Sequence, residues 1–79
     1  MEVEIYSKTN CSFCEKAKIR LQQHDPKIHM LDTDYTREEF FEKFPSARTF
    51  PQIIINGEKI GGYHELVKWL SMNSFDEDF

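Results

Sequence analysis

A chain of 79 residues is expected to form one domain, 1–79, and its 39% apolar and 14% aromatic content supplies a core without metal or structural disulfides. Ten basic residues against fourteen acidic ones give a net charge of −4, which argues against a nucleic-acid binder, because phosphate recognition needs a basic face. Two cysteines are too few for a secreted disulfide scaffold, no apolar run approaches the ~20 residues of a membrane span, and Met1-Glu2-Val3-Glu4 lacks the basic start and apolar core of a signal peptide. The expectation is a soluble, cytoplasmic protein. In such a reducing compartment a cysteine pair works in catalysis rather than in scaffolding.

Val3–Tyr6 has the composition of a strand. Lys8-Thr9-Asn10-Cys11-Ser12-Phe13-Cys14 follows and contains both cysteines, separated by two residues. A helix is predicted from Ser12 to about Gln23, with Cys14, Ala17 and Leu21 on one face and Ile19 nearly opposite. Asp25-Pro26 ends it. Ile28–Leu31 reads as a second strand and Asp32–Tyr35 as a loop. Thr36-Arg37-Glu38-Glu39 spells a capping box. Phe40, Phe41 and Phe44 are the apolar stripe of the helix that follows, Pro45 stops it, and core packing is the stripe's expected use.

Pro51–Ile55 is the strongest strand, apolar enough to be covered on both faces. Asn56-Gly57 is a hairpin signal, Glu58–Ile60 the return strand, and Gly61-Gly62 its break. A last helix is predicted from His64 to Met72, with Leu66, Val67 and Leu70 inward and Trp69 flanking. The acidic tail Phe75–Phe79 follows a helix C-terminus, where negative charge is unfavourable, and is expected to fray. The order β-α-β-α-β-β-α implies a right-handed parallel crossover first and an antiparallel hairpin last. The expected fold is α/β, a four-stranded mixed sheet with three helices over its faces.

Cys-x-x-Cys between a strand and a helix is a redox motif by position as well as spacing. Half of a zinc site is the alternative, and no second cysteine pair follows to complete one. Thiol–disulfide exchange needs a thiolate that attacks and a second thiol that resolves. Cys11 sits where the helix begins, and free amides, the helix dipole and Lys8 favour a thiolate there. Cys14 lies one turn further in, on the inward face. Cys11 is therefore assigned as nucleophile and Cys14 as resolving thiol. Phe13 either shields the sulfurs or covers the sheet. His24 and His29 read as surface or satisfied residues, and no metal is expected.

Three blocks resemble the glutaredoxins of the thioredoxin superfamily. Lys8-Thr9-Asn10-Cys11-Ser12-Phe13-Cys14 is similar to the family's K-x-x-C-P-Y-C, and Ala47-Arg48-Thr49-Phe50-Pro51-Gln52-Ile53 to its A-R-T-V-P-Q-I/V. Ile60-Gly61-Gly62-Tyr63-His64-Glu65-Leu66 is similar to its I-G-G-Y-x-D-L. The resemblance spans nearly the whole chain, whose short length is similar to phage or bacterial members.

The resemblance implies a thioredoxin-like fold and a monomeric enzyme. Such an enzyme uses glutathione as co-substrate to reduce protein disulfides and protein–glutathione mixed disulfides. Pro51 would be the cis-proline facing the cysteines. Phe50, after Thr49, would pair its main chain with the glutathione cysteinyl unit like an added strand. The Tyr63 and His64 amides, next to Gly62, would bind the γ-glutamyl carboxylate. Glu65 would approach the γ-glutamyl amine, and Lys8 and Arg37 would attract the glycyl carboxylate. Ribonucleotide reductase is a client that the resemblance suggests.

Departures from the family's pattern bear on function. Ser12 replaces the usual Pro, and some members with Ser there hold a [2Fe-2S] cluster between two subunits, so a cluster-binding module is one rival reading. A redoxin reduced by thioredoxin reductase is another; Lys8, Gly61-Gly62 and Glu65 favour glutathione over it. Phe50 in place of Val narrows the groove, and Glu65 in place of Asp is one methylene longer.

Overall fold

The computed structural model describes residues 1–73 of the chain. The acidic tail, for which fraying was expected, lies outside the described residues. In order the elements are β1 (Val3–Ser7), α1 (Ser12–Leu21), β2 (Lys27–Met30), α2 (Arg37–Lys43), β3 (Gln52–Ile55), β4 (Glu58–Gly61) and α3 (Tyr63–Met72). The sheet order is β2-β1-β3-β4. β1 and β2 are parallel, joined over α1, and the other two pairings are antiparallel. No helix among the described residues is long and apolar enough to cross a membrane.

Alternation along the strands splits the core into two layers. Val3 and Ile5 face Ala17 and Leu21 of α1 and Leu66 and Leu70 of α3. On the other face Tyr35, Phe40 and Phe44 pack on Ile54. Every residue of β3 is buried, as expected of a strand covered on both sides. α2 starts with the full reciprocal cap. The Glu39 N–H donates to Thr36 Oγ1 at 3.1 Å, and the Thr36 N–H donates to Glu39 Oε1 at 2.8 Å. The β3–β4 hairpin turns on Asn56 (φ 52°) and Gly57 (φ 82°), the paired left-handed residues of a type I′ turn.

Several sequence expectations are corrected. α1 ends at Leu21 rather than Gln23, and Gln22–His24 tighten into a 3-10 turn. Pro26 disfavours the right-handed helical region at Asp25, which takes φ 52° instead. Phe41 leaves the apolar stripe and is 43% exposed, because one residue turns it about 100° away from Phe40. β4 continues through Gly61, which pairs with Ile53 beside a bulge, and α3 therefore starts at Tyr63. β2 begins at Lys27 and ends at Met30, and Leu31 bridges singly to Tyr35. Ile19 lies on the outer face of α1 and is exposed.

Tyr35 ties the loop after β2 to the sheet by donating to the Ser7 carbonyl at 2.6 Å. Burial, and secondarily Tyr6, push its phenol from 10 up to about 12, against the opposing charge of Arg37. The folded state thus favours the neutral phenol. That contribution is complete below pH 10 and is lost as pH rises towards about 12. Urea midpoints measured from pH 9 to 12 should fall more steeply for the parent than for Tyr35→Phe; parallel curves would contradict this.

Candidate active site

The disulfide forms the entrance to α1. Asn10 (φ 53°) turns the chain off β1, and Cys11 becomes the N-cap of the helix. The Cys14 N–H donates to Cys11 Sγ at 3.2 Å, and the Glu15 N–H donates to the Cys11 carbonyl at 3.2 Å. Cys11 and Cys14 are bonded, with Cα atoms 5.2 Å apart. Cys11 is half-buried, whereas Cys14 is 0% exposed on the inward stripe with Ala17 and Leu21. Only the Cys11 sulfur is open to a partner, and it is also the sulfur that an amide of the helix end addresses. Both features suit an attacking thiolate.

The loop before β3 faces this sulfur. The Phe50–Pro51 peptide is cis, and Cys11 Sγ lies 3.8 Å from the Phe50 carbonyl oxygen. The Phe50 ring stacks on Phe40 of α2 at 4.5 Å, and Lys8 Nζ stands 5.4 Å from the centre of the Phe50 ring. Gln52 Nε2 donates to the Thr49 carbonyl at 2.9 Å and so fastens the loop to its own strand.

The mouth of α3 completes the site. Gly62 is its N-cap and donates its N–H to Glu65 Oε1 at 2.9 Å. Gly62 has no side chain, so this is the reach-back half of a capping box alone. A Cβ at Gly62 would stand 3.1 Å from Thr49 Oγ1, 3.2 Å from Glu65 Oε1 and 3.5 Å from the Pro51 carbonyl oxygen. A glycine is what lets the helix mouth come this close to the Thr49–Pro51 loop. Beside them a cleft of about 480 Å³ is lined by Thr49, Gly62 and Glu65 together with Arg48 and Lys59.

Aromatic contacts join α1 to α3. Phe13 is 40% exposed, stacks on Tyr63 at 5.4 Å and meets His64 edge-on at 5.2 Å. It packs on the mouth of α3 and belongs to neither buried core. Arg20 Nε donates to the Tyr63 hydroxyl at 3.0 Å, and Lys16 lies over Phe13. The structure thus gathers Lys8, Cys11, Phe13, Cys14, Thr49, Phe50, Pro51, Gly62, Tyr63, His64 and Glu65 at one end of the sheet. Arg37 stands one turn before Phe40 on α2, exposed, where its charge opposes the rise in the Tyr35 pKa. Gln52 and Arg20, which lock Thr49 and Tyr63, carry no such role in the sequence reading; nothing in the spacing of Arg20 signals a contact across 43 residues, and the three-residue reach of Gln52 back to the Thr49 carbonyl depends on how the loop turns. His29 is satisfied by Glu4 Oε1 at 3.0 Å and by stacking on Tyr6.

This geometry defines the class: a thioredoxin-fold protein with a redox-active CxxC disulfide at a helix N-terminus, opposite a cis-proline. The family model for glutaredoxin matches residues 3–60. The chain is 36% identical over 67 residues to glutaredoxin 3 of Escherichia coli (strain K12), covering 81% of this chain and 80% of that one. It is 34% identical over 65 residues to mitochondrial glutaredoxin-2 of Mus musculus, covering 76% of this chain but 42% of the relative, so it spans less than half of that protein's length. The crystal structure of glutaredoxin 1 from Francisella tularensis, complexed with cacodylate, superposes with a TM-score of 0.75 at 26% identity, covering 96% of this chain and 98% of that one. The chain belongs to the glutaredoxin family.

Proposed function

We propose that the protein is a glutathione-dependent thiol–disulfide oxidoreductase of the cytoplasm. The Cys11 thiolate attacks a substrate disulfide and forms a mixed disulfide as the substrate thiolate leaves. Cys14, or a glutathione thiolate, then attacks Cys11 Sγ and releases the second substrate thiol. Two glutathione molecules return the Cys11–Cys14 disulfide to the dithiol and leave as glutathione disulfide. The observation that carries this reading is the half-exposed Cys11 sulfur, 3.8 Å from the Phe50 carbonyl and beside the open end of α3.

Each part of a bound glutathione has a complementary group. The Phe50 main chain would pair with the cysteinyl unit. The unshared Tyr63 and His64 amides at the N-terminus of α3 would take the γ-glutamyl carboxylate. Glu65 already holds the Gly62 N–H with one carboxylate oxygen, so its other oxygen would meet the γ-glutamyl amine. Lys8, poised over the Phe50 ring, would attract the glycyl carboxylate, with Arg37 as the more distant cation.

Gly62→Ala tests the glutathione part separately from the chemistry. The added methyl would crowd Thr49 Oγ1 at 3.1 Å, where the γ-glutamyl group must enter. The KM for a glutathionylated substrate in a glutathione-coupled assay should rise about tenfold, equivalent to ~1.4 kcal/mol of binding. Reduction of the same disulfide bond by dithiothreitol should be unchanged. An unaltered KM would remove glutathione from this groove.

A further inference from the structure

Ser7 closes β1, and its side chain is 0% exposed. Its hydroxyl is the buried side-chain polar atom that has no hydrogen-bond partner among the described residues. Its main chain is well served, since the carbonyl accepts from the Leu31 N–H at 3.0 Å and from the Tyr35 hydroxyl at 2.6 Å. Buried hydroxyls are normally paired, and an orphan at a functional site calls for a role.

Two registers locate this hydroxyl. Val3 and Ile5 lie in one core with Leu21 and Ala17 of α1, and alternation puts Ser7 on the same face. Two residues of strand advance ~6.7 Å, and three or four residues of helix advance ~4.5–6 Å. α1 packs on β1, so the ladder Val3, Ile5, Ser7 is met by Leu21, Ala17, Cys14, the three buried residues of α1. Across the sheet Ile5 pairs with Ile53 in antiparallel register, so Ser7 falls opposite Pro51. Ser7 therefore lies beneath the active-site disulfide, on the Cys14 side.

We infer that Ser7 is a positioning residue for Cys14: its hydroxyl, unpartnered in the disulfide form, donates a hydrogen bond to Cys14 Sγ in the dithiol form. The inference rests on the redox reading above. Reduction breaks the Cys11–Cys14 bond and adds two electrons and two protons, supplied by two glutathione thiols that become glutathione disulfide. Ser7 keeps its own proton. Reduction frees Cys14 Sγ from Cys11, so the sulfur can turn about its Cα–Cβ bond into reach of the hydroxyl; the thiol then both accepts and donates, and a thiolate accepts strongly. Removing the hydroxyl relieves an unpaired group in the oxidised protein and deletes a bond in the reduced one. Both changes disfavour reduction.

The test is the equilibrium constant of the Cys11–Cys14 pair in glutathione redox buffers, for the parent, Ser7→Ala and Ser7→Thr. Ser7→Ala should be reduced about tenfold less readily, a shift of ~30 mV to more negative potential for a two-electron couple. Ser7→Thr, which keeps the hydroxyl, should stay near the parent. Thermal unfolding gives an independent reading: Ser7→Ala should be as stable as the parent or more so when oxidised, and less stable when reduced. A Ser7→Ala constant within twofold of the parent, or equal shifts in both variants, would overturn the inference. Repeating the titration in dithiothreitol separates the two claims. If the parent exchanges with dithiothreitol but not with glutathione, the glutathione reading fails while Ser7 is still tested.

Discussion

Cys11→Ser should abolish turnover, by at least about a thousandfold, while leaving the fold in place. The loss follows from chemistry, since a serine hydroxyl neither ionises near neutral pH nor forms a mixed disulfide. Retention of the fold follows from position. Cys11 is the N-cap of α1 and accepts the Cys14 N–H through its side chain. Serine is among the best residues for that capping bond, so the helix keeps its start. Cys14 cannot take over, because it is 0% exposed beneath the motif. The check is a glutathione-coupled assay beside a thermal melt of the reduced proteins. Activity within tenfold of the parent would show that Cys11 is not the attacking thiol.

Much of the fold was legible because its signals are local. The Thr36-to-Glu39 spelling became a complete capping box, and Asn56-Gly57 became the turn of the hairpin. The unbroken apolar run of β3 is buried at every position, as continuous apolar strands are in covered sheets. Boundaries were harder. Strand pairing decided that β4 continues to Gly61, and a left-handed Asp25 decided how α1 ends. Neither competes visibly at the level of single residues.

The site was legible in a different way. Cys11 and Cys14 are read from spacing, and the helix dipole separates their roles. That Thr49-Phe50-Pro51 and Gly62-Tyr63-His64-Glu65 converge on them followed from family resemblance, because 39 residues separate Cys11 from the carbonyl it faces. The locks behind the site had no signal at all. The Arg20–Tyr63 hydrogen bond, the Phe40–Phe50 stack and the orphan hydroxyl of Ser7 arise only once the sheet has folded.

Cys14→Ser tests the division of labour between the two sulfurs. The resolving thiol is dispensable when glutathione itself attacks the mixed disulfide, and required when a protein disulfide must be opened by two thiols in turn. The variant should therefore keep activity within about threefold on a glutathionylated substrate and lose about a hundredfold on a protein disulfide. The most direct measurement is peptide-mapped mass spectrometry of Cys14→Ser after reaction with the glutathionylated substrate and before further glutathione is added. The account requires one glutathione, on Cys11, discharged when glutathione follows. An inactive Cys14→Ser without that adduct, together with an active Cys11→Ser, would contradict it.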